Sequence, residues 1–116
     1  MFVLLEHTTA AGVHWDLMVE AGPGGLLTTW RLRQNPIPNA AGIAAERIGD
    51  HRRAYLDYEG ELSGGRGSVR RLDRGPATMR EAADGRTILI LGGQRLRGRF
   101  EVGGAAVGAT FRRRTD

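Results

Sequence analysis

Only three histidines occur in the chain, His7, His14 and His51, and two of them are placed to share an ion. His14 and Asp16 are two residues apart, so on an extended strand both project from one face, about 7 Å apart along it. His7 closes the preceding apolar run, and a short turn that includes Gly12 would bring it beside His14. Two imidazoles and a carboxylate suit Mn, Fe or Zn and leave coordination positions open for water or a substrate oxygen. Metal-assisted hydrolysis needs such an open site, because the ion must polarise a phosphoryl oxygen or activate water. The chain has no cysteine, so His, Asp and Glu are the available ligands. A lone His-x-Asp also arises from unrelated surface residues. What favours a site is the alternation with Trp15 and Leu17, which points His14 and Asp16 away from the expected core.

The elements that must hold these residues read as strands. In Val13 to Glu20, the residues Val13, Trp15, Leu17 and Val19 share one face, and His14, Asp16, Met18 and Glu20 the other. Arg95 to Val102 sets Leu96, Phe100 and Val102 against Arg95, Arg97, Arg99 and Glu101. Tyr55 to Leu62 alternates as well, and further strands are expected over 2–6, 26–32, 68–72, 86–91 and 107–112. Gly22-Pro23-Gly24-Gly25, Gly64-Gly65 and Gly92-Gly93 read as turns, and Asn35 to Asn39 as a loop. Thr78 to Ala83 is the one expected helical turn, ended by Gly85. The fold class is therefore all-β: a closed or nearly closed barrel of about eight strands, one face wet and one dry, with one short helix.

Composition sets the outer limits. With 116 residues, 41% hydrophobic and 26% charged, the chain suits one globular domain over residues 1–116 and excludes a disordered or fibrous class. Apolar runs such as Ile88 to Leu91 fall far short of the roughly 18–20 residues of a membrane span. Met1 to His7 lacks the basic start of a signal peptide, so the expected address is cytoplasmic. Net charge is +4, and all seventeen basic residues are arginine, a planar fork suited to bidentate phosphate contact. That excess fits a polyanionic partner and fits simple solubility equally well.

The motifs, taken in order, resemble one family. Phe2-Val3-Leu4-Leu5-Glu6-His7 followed by His14-Trp15-Asp16-Leu17-Met18-Val19-Glu20 is similar to the opening of the 3′-phosphoesterase domain of bacterial DNA ligase D. Gly49-Asp50-His51, Tyr55 and Tyr58-Glu59-Gly60 resemble its second block; Leu72-Asp73-Arg74-Gly75 and Leu96-Arg97-Gly98-Arg99-Phe100 resemble its later ones. The resemblance implies an eight-stranded barrel with its active site on the outer surface. It also implies a manganese-dependent enzyme that trims 3′-terminal ribonucleotides and phosphates from DNA ends in repair. By position, His7, His14 and Asp16 would hold the metal, and His51 and Tyr55 would contact the phosphate and carry catalysis. The partners implied are nucleic-acid 3′ ends, with any repair ligase or polymerase encoded separately.

The chain departs from that pattern in four places. Met18 stands where the family has a phosphate-clamping arginine, and Gly49 where it has a glutamate. A long glycine-rich loop is cut to Ser63-Gly64-Gly65-Arg66-Gly67, and one extra residue separates His7 from His14. Arg52 and Arg53 could supply the missing charge to the phosphate, or could be solvated loop residues. The alternative function is thus a phosphate- or end-binding module that has lost turnover. Trp15 and Trp30 read as core rather than base-stacking platforms. The Arg95-Arg97-Arg99 stripe reads either as a phosphate track or as a solvated barrel face, and Glu20 and Glu59 as supporting partners or surface charges.

Overall fold

A computed structural model describes residues 1–103 and 108–115. Ten antiparallel strands form one sheet: β1 Phe2–Thr9, β2 Gly12–Glu20, β3 Leu27–Leu32, β4 Ala41–His51, β5 Gly60–Glu61, β6 Ser68–Gly75, β7 Ala77–Glu81, β8 Thr87–Gly92, β9 Arg97–Gly103 and β10 Ala109–Arg113. Their order across the sheet is β5-β6-β1-β2-β3-β4-β10-β9-β8-β7. The all-β expectation holds, with two more strands than expected. The sheet coils but is not closed by hydrogen bonds. Its seam is crossed by the chain itself at Pro76, between β6 and β7, where the Pro76 carbonyl accepts from Gly92 N–H at 2.8 Å. Gly75 is required there, because a Cβ would strike the Gly92 carbonyl oxygen.

Inside the coil lie Phe2, Leu4, Leu17, Val19, Trp30, Leu89, Leu91, Leu96, Phe100 and Phe111, with Trp15 packed at the margin. Most are alternate residues of β1, β2, β8 and β9, joined by Trp30 of β3, Phe111 of β10 and Leu96 just before β9, so the period-2 pattern has done what it should. The opposite face is not uniformly wet. Val3, Leu5, Met18, Leu27, Leu56 and Val69 form a second apolar cluster, flanked by Tyr55 and Leu62. Its lid is the segment from 53 to 67, which folds back over β1, β2, β3 and β6. Met18 is only 1% exposed, so the outward face of β2 is a covered face.

Two local expectations fail, and one strand carries no alternation that marks it. Tyr55 to Leu62 is not a strand: Arg53–Leu56 is a 3-10 turn and pairing resumes only at β5. The lid must turn Tyr55, Leu56 and Leu62 inward together, which an extended strand cannot do. Thr78 to Ala83 is not helical, since β7 covers Ala77–Glu81 and pairs with β8. β4 had no signal in the sequence, because Ala41, Gly42, Ala44, Ala45 and Gly49 blur its alternation. Val107, the expected start of the last strand, lies outside the described residues. No helix is long and apolar enough to cross a membrane.

Candidate metal centre and phosphate pocket

β1 and β2 form a hairpin whose register places His7 directly opposite His14, with Thr9 opposite Gly12 closing the turn. Leu5 faces Asp16 two residues further along, so His7, His14 and Asp16 meet on the lid side of the sheet. His7 Nδ1 is 3.0 Å from His14 Nε2. Asp16 Oδ1 is 3.3 Å from His14 Nε2, and Oδ2 is 3.6 Å from His7 Nδ1. Donor atoms that share one ion at about 2.0–2.2 Å stand about 3–3.6 Å apart, and each of these pairwise spacings falls in that range, with one Asp16 oxygen toward each imidazole.

Two further observations fit a cation. Asp16 is 3% exposed, yet its Oδ1 accepts no hydrogen bond among the described residues. A buried carboxylate oxygen whose near neighbour, the His14 imidazole, gives it no well-formed hydrogen bond is costly, and a metal ion is one way to satisfy it. His7 Nε2 donates to the Arg66 carbonyl oxygen at 2.8 Å. That bond puts the proton on Nε2 and leaves Nδ1 bare toward His14, the orientation seen when a backbone carbonyl supports a ligating imidazole. Burial holds the His14 imidazole below its usual pKa, opposed by Asp16 and helped by Arg31 and His7. The neutral, ligating form is favoured.

Beside this triangle is a cavity of about 200 Å³ lined by His7, Asp16, Met18, Arg31, His51, Tyr55, Leu62, Arg66 and Val69. His51 reaches it from the end of β4. An extra residue in β4 between the partners of Leu27 and Thr29 makes a bulge there, and Leu27 faces His51 beyond it. Thr29, fully buried, donates its hydroxyl to the Leu27 carbonyl at 3.0 Å and lies 3.0 Å from His51 Nδ1. With its single proton engaged, Thr29 Oγ1 must accept from His51 Nδ1–H, which leaves His51 Nε2 with its lone pair. Tyr55 stands edge-on to the His51 ring, centroids 5.4 Å apart.

A family comparison now decides the assignment: the model of the DNA Ligase D 3′-phosphoesterase domain matches residues 5–103. The chain belongs to that family. Comparison with curated proteins gives no match. The family is one of 3′-phosphoesterase domains of DNA repair that act on DNA ends, and a divalent metal suits both it and the His7–His14–Asp16 group.

The remaining residues sort by position. Arg53 pairs with Glu20, which also accepts from the Met1 amino group at 2.8 Å; these two hydrogen bonds push the Glu20 carboxyl down to about 2. Neither Arg53 nor Glu20 lines the cavity. Arg52 lines an adjoining one with Tyr55, Tyr58 and Arg66. Glu59 accepts from Arg71 N–H at 2.9 Å and ties the lid to β6. Arg95, Arg97 and Arg99 are exposed on the outer barrel face, away from these cavities. Asp73 holds the turn between β8 and β9, accepting from the backbone N–H groups of Arg74, Gln94, Arg95 and Leu96. Sequence reasoning missed Arg31, Thr29 and Arg66. Arg31 and Thr29 alternate on β3 with Trp30 and Leu32, a signal that becomes useful only once the register to β2 is known.

Proposed function

We propose that this chain is a divalent-metal-dependent phosphoesterase that removes phosphates and ribonucleotides from 3′ ends of DNA, with manganese as its ion. The observation that carries the reading is the convergence of two imidazole nitrogens and an unsatisfied Asp16 oxygen at the mouth of a cavity that also holds His51 and Tyr55. His7, His14 and Asp16 would hold the ion, which when bound neutralises charge on the phosphate and leaves open positions for oxygen ligands. Zinc suits the same donors, and metal content of the purified protein separates the two.

His51 is the proton-handling group in this reading. Thr29 fixes its Nδ1–H, so Nε2 is the atom that takes or returns a proton during cleavage. Tyr55 orients the same phosphate from beside the imidazole. Trimmed 3′-hydroxyl ends would pass to a ligase or polymerase encoded separately. The test is hydrolysis of a primer ending in a 3′-ribonucleotide or a 3′-phosphate, with and without manganese, for the wild type, Asp16→Ala and His51→Ala. Manganese-dependent release lost in both variants supports the reading. The second reading, an end-binding module without turnover, has one observation behind it: Met18 gives the cavity an apolar wall. Binding of 3′-phosphorylated ends without any release would favour it.

A further inference from the structure

We propose that Arg31 and Arg66 form a two-armed clamp that recognises a terminal phosphate in the cavity beside His7 and Asp16. The proposal rests on the reading of that cavity as a phosphate site, and names the cations that would select the ligand. A phosphate monoester brings close to two negative charges, and burying it needs cationic donors on more than one side. The cavity lining holds one acid, Asp16, and two cations, Arg31 and Arg66. The chain has no lysine to share the task.

Arg31 comes from β3, where it stands directly across from Asp16. Its side chain makes no ion pair or hydrogen bond among the described residues, and its Nε is buried without a partner. A guanidinium half-enclosed by protein with an empty donor is expensive unless something is bound there. Arg53 shows the contrast, with its guanidinium committed to Glu20.

Arg66 lines the same cavity from the short loop before β6. Its Nε donates to the Ser63 carbonyl at 2.7 Å and its Nη2 to Ser63 Oγ at 2.9 Å. Both acceptors are neutral, so they fix the guanidinium without cancelling its charge. The loop backbone is set as firmly: the Arg66 carbonyl holds His7, and Gly67, at φ +91°, packs so closely on Thr8 that a Cβ would overlap its carbonyl. Arg66 is thus aimed by the same loop that orients a metal ligand. It also lines both neighbouring cavities, so one face of it remains open to an incoming strand.

The experiment measures affinity of the full chain, in chelator to prevent turnover, for one oligonucleotide ending in either 3′-phosphate or 3′-hydroxyl. The wild type should prefer the 3′-phosphate. Arg31→Gln and Arg66→Gln should each weaken that form by about tenfold or more and leave the 3′-hydroxyl form unchanged. Arg95→Gln, on the outer face, should alter neither. Arg31→Lys keeps charge but not the fork, so it should retain part of the preference; it also decides the matter if Arg31→Gln does not fold. No 3′-phosphate preference in the wild type, or a preference untouched by both clamp variants, overturns the clamp. Clamp-dependent binding without manganese-dependent release would sink the esterase reading alone. Release by the wild type, unaltered in both variants, would sink the clamp alone.

Discussion

Two aspartates, Asp16 and Asp73, fall in family-like motifs and are buried to a similar degree, 3% and 8% exposed. They do opposite things. Asp73 accepts four backbone N–H bonds of 2.6–3.1 Å, one from Arg74 beside it in β6 and three from Gln94, Arg95 and Leu96 in the β8–β9 turn. Burial alone would raise its pKa, but those four donors outweigh it and hold the carboxyl below its ordinary range. Gly93 belongs to the same construction, because a Cβ there would overlap Asp73 Oδ2. Among the described residues Asp16 has no backbone donor; two imidazoles face it and Oδ1 accepts no hydrogen bond. A buried carboxylate that is fully satisfied supports the fold, whereas one left short of partners is poised for an external cation.

Breaking the Asp73 hub should give the largest effect. Asp73→Ala strands several buried N–H groups and should cost about 3–5 kcal/mol in urea unfolding, equally with and without metal. Equal stability in this variant would mean that the turn is held by something else. Next comes Asp16→Asn. In chelator it should be as stable as the wild type or more so, because a poorly paired buried charge is gone. Addition of manganese at about 100 times its dissociation constant should stabilise the wild type by about 2.7 kcal/mol and Asp16→Asn hardly at all. Stabilisation of both to the same extent would remove Asp16 from the site.

A smaller effect should follow from Thr29→Val, which keeps the shape but removes the acceptor for His51 Nδ1–H. We expect a fall of about tenfold in turnover and a displaced pH–rate profile, with manganese binding unchanged. A purely structural role would alter unfolding and leave the profile in place. The smallest concerns acid. Glu20, pushed down to about 2 from the ordinary 4.5, stabilises the fold fully above its unfolded value and loses that contribution as pH falls toward 2. Glu20→Gln should flatten that part of the stability–pH curve, by an amount that shrinks in high salt. Asp73 loses its contribution in the same direction, below the ordinary carboxylate range, and Asp73→Asn should remove that slope.

Much of the centre was legible because it is local. His7, Gly12, His14 and Asp16 belong to one hairpin, and period-2 projection plus a short turn suffices to bring them together. The inward set Leu17, Leu96 and Phe100 follows from the same rule. The burial of Met18 was not legible, since it depends on a lid that starts 35 residues later in the chain at Arg53. From its closeness in sequence to His51, Arg53 reads either as a phosphate contact or as a solvated loop residue; the partner that the fold brings to its guanidinium is Glu20, 33 residues away in the chain.

Residue types and alternation thus determined the all-β class, the apolar interior and the grouping of His7, His14 and Asp16, because each depends on steric and chemical preferences within a few residues. Register across β2, β3 and β4, the bulge before His51 and the fold-back of residues 53 to 67 were decided only by tertiary structure. Those features are set by pairing between segments distant in the chain, where the gain from burying Leu27, Leu56 and Val69 together outweighs what any local pattern prefers. They are also what place Arg31, Thr29 and Arg66 around the cavity.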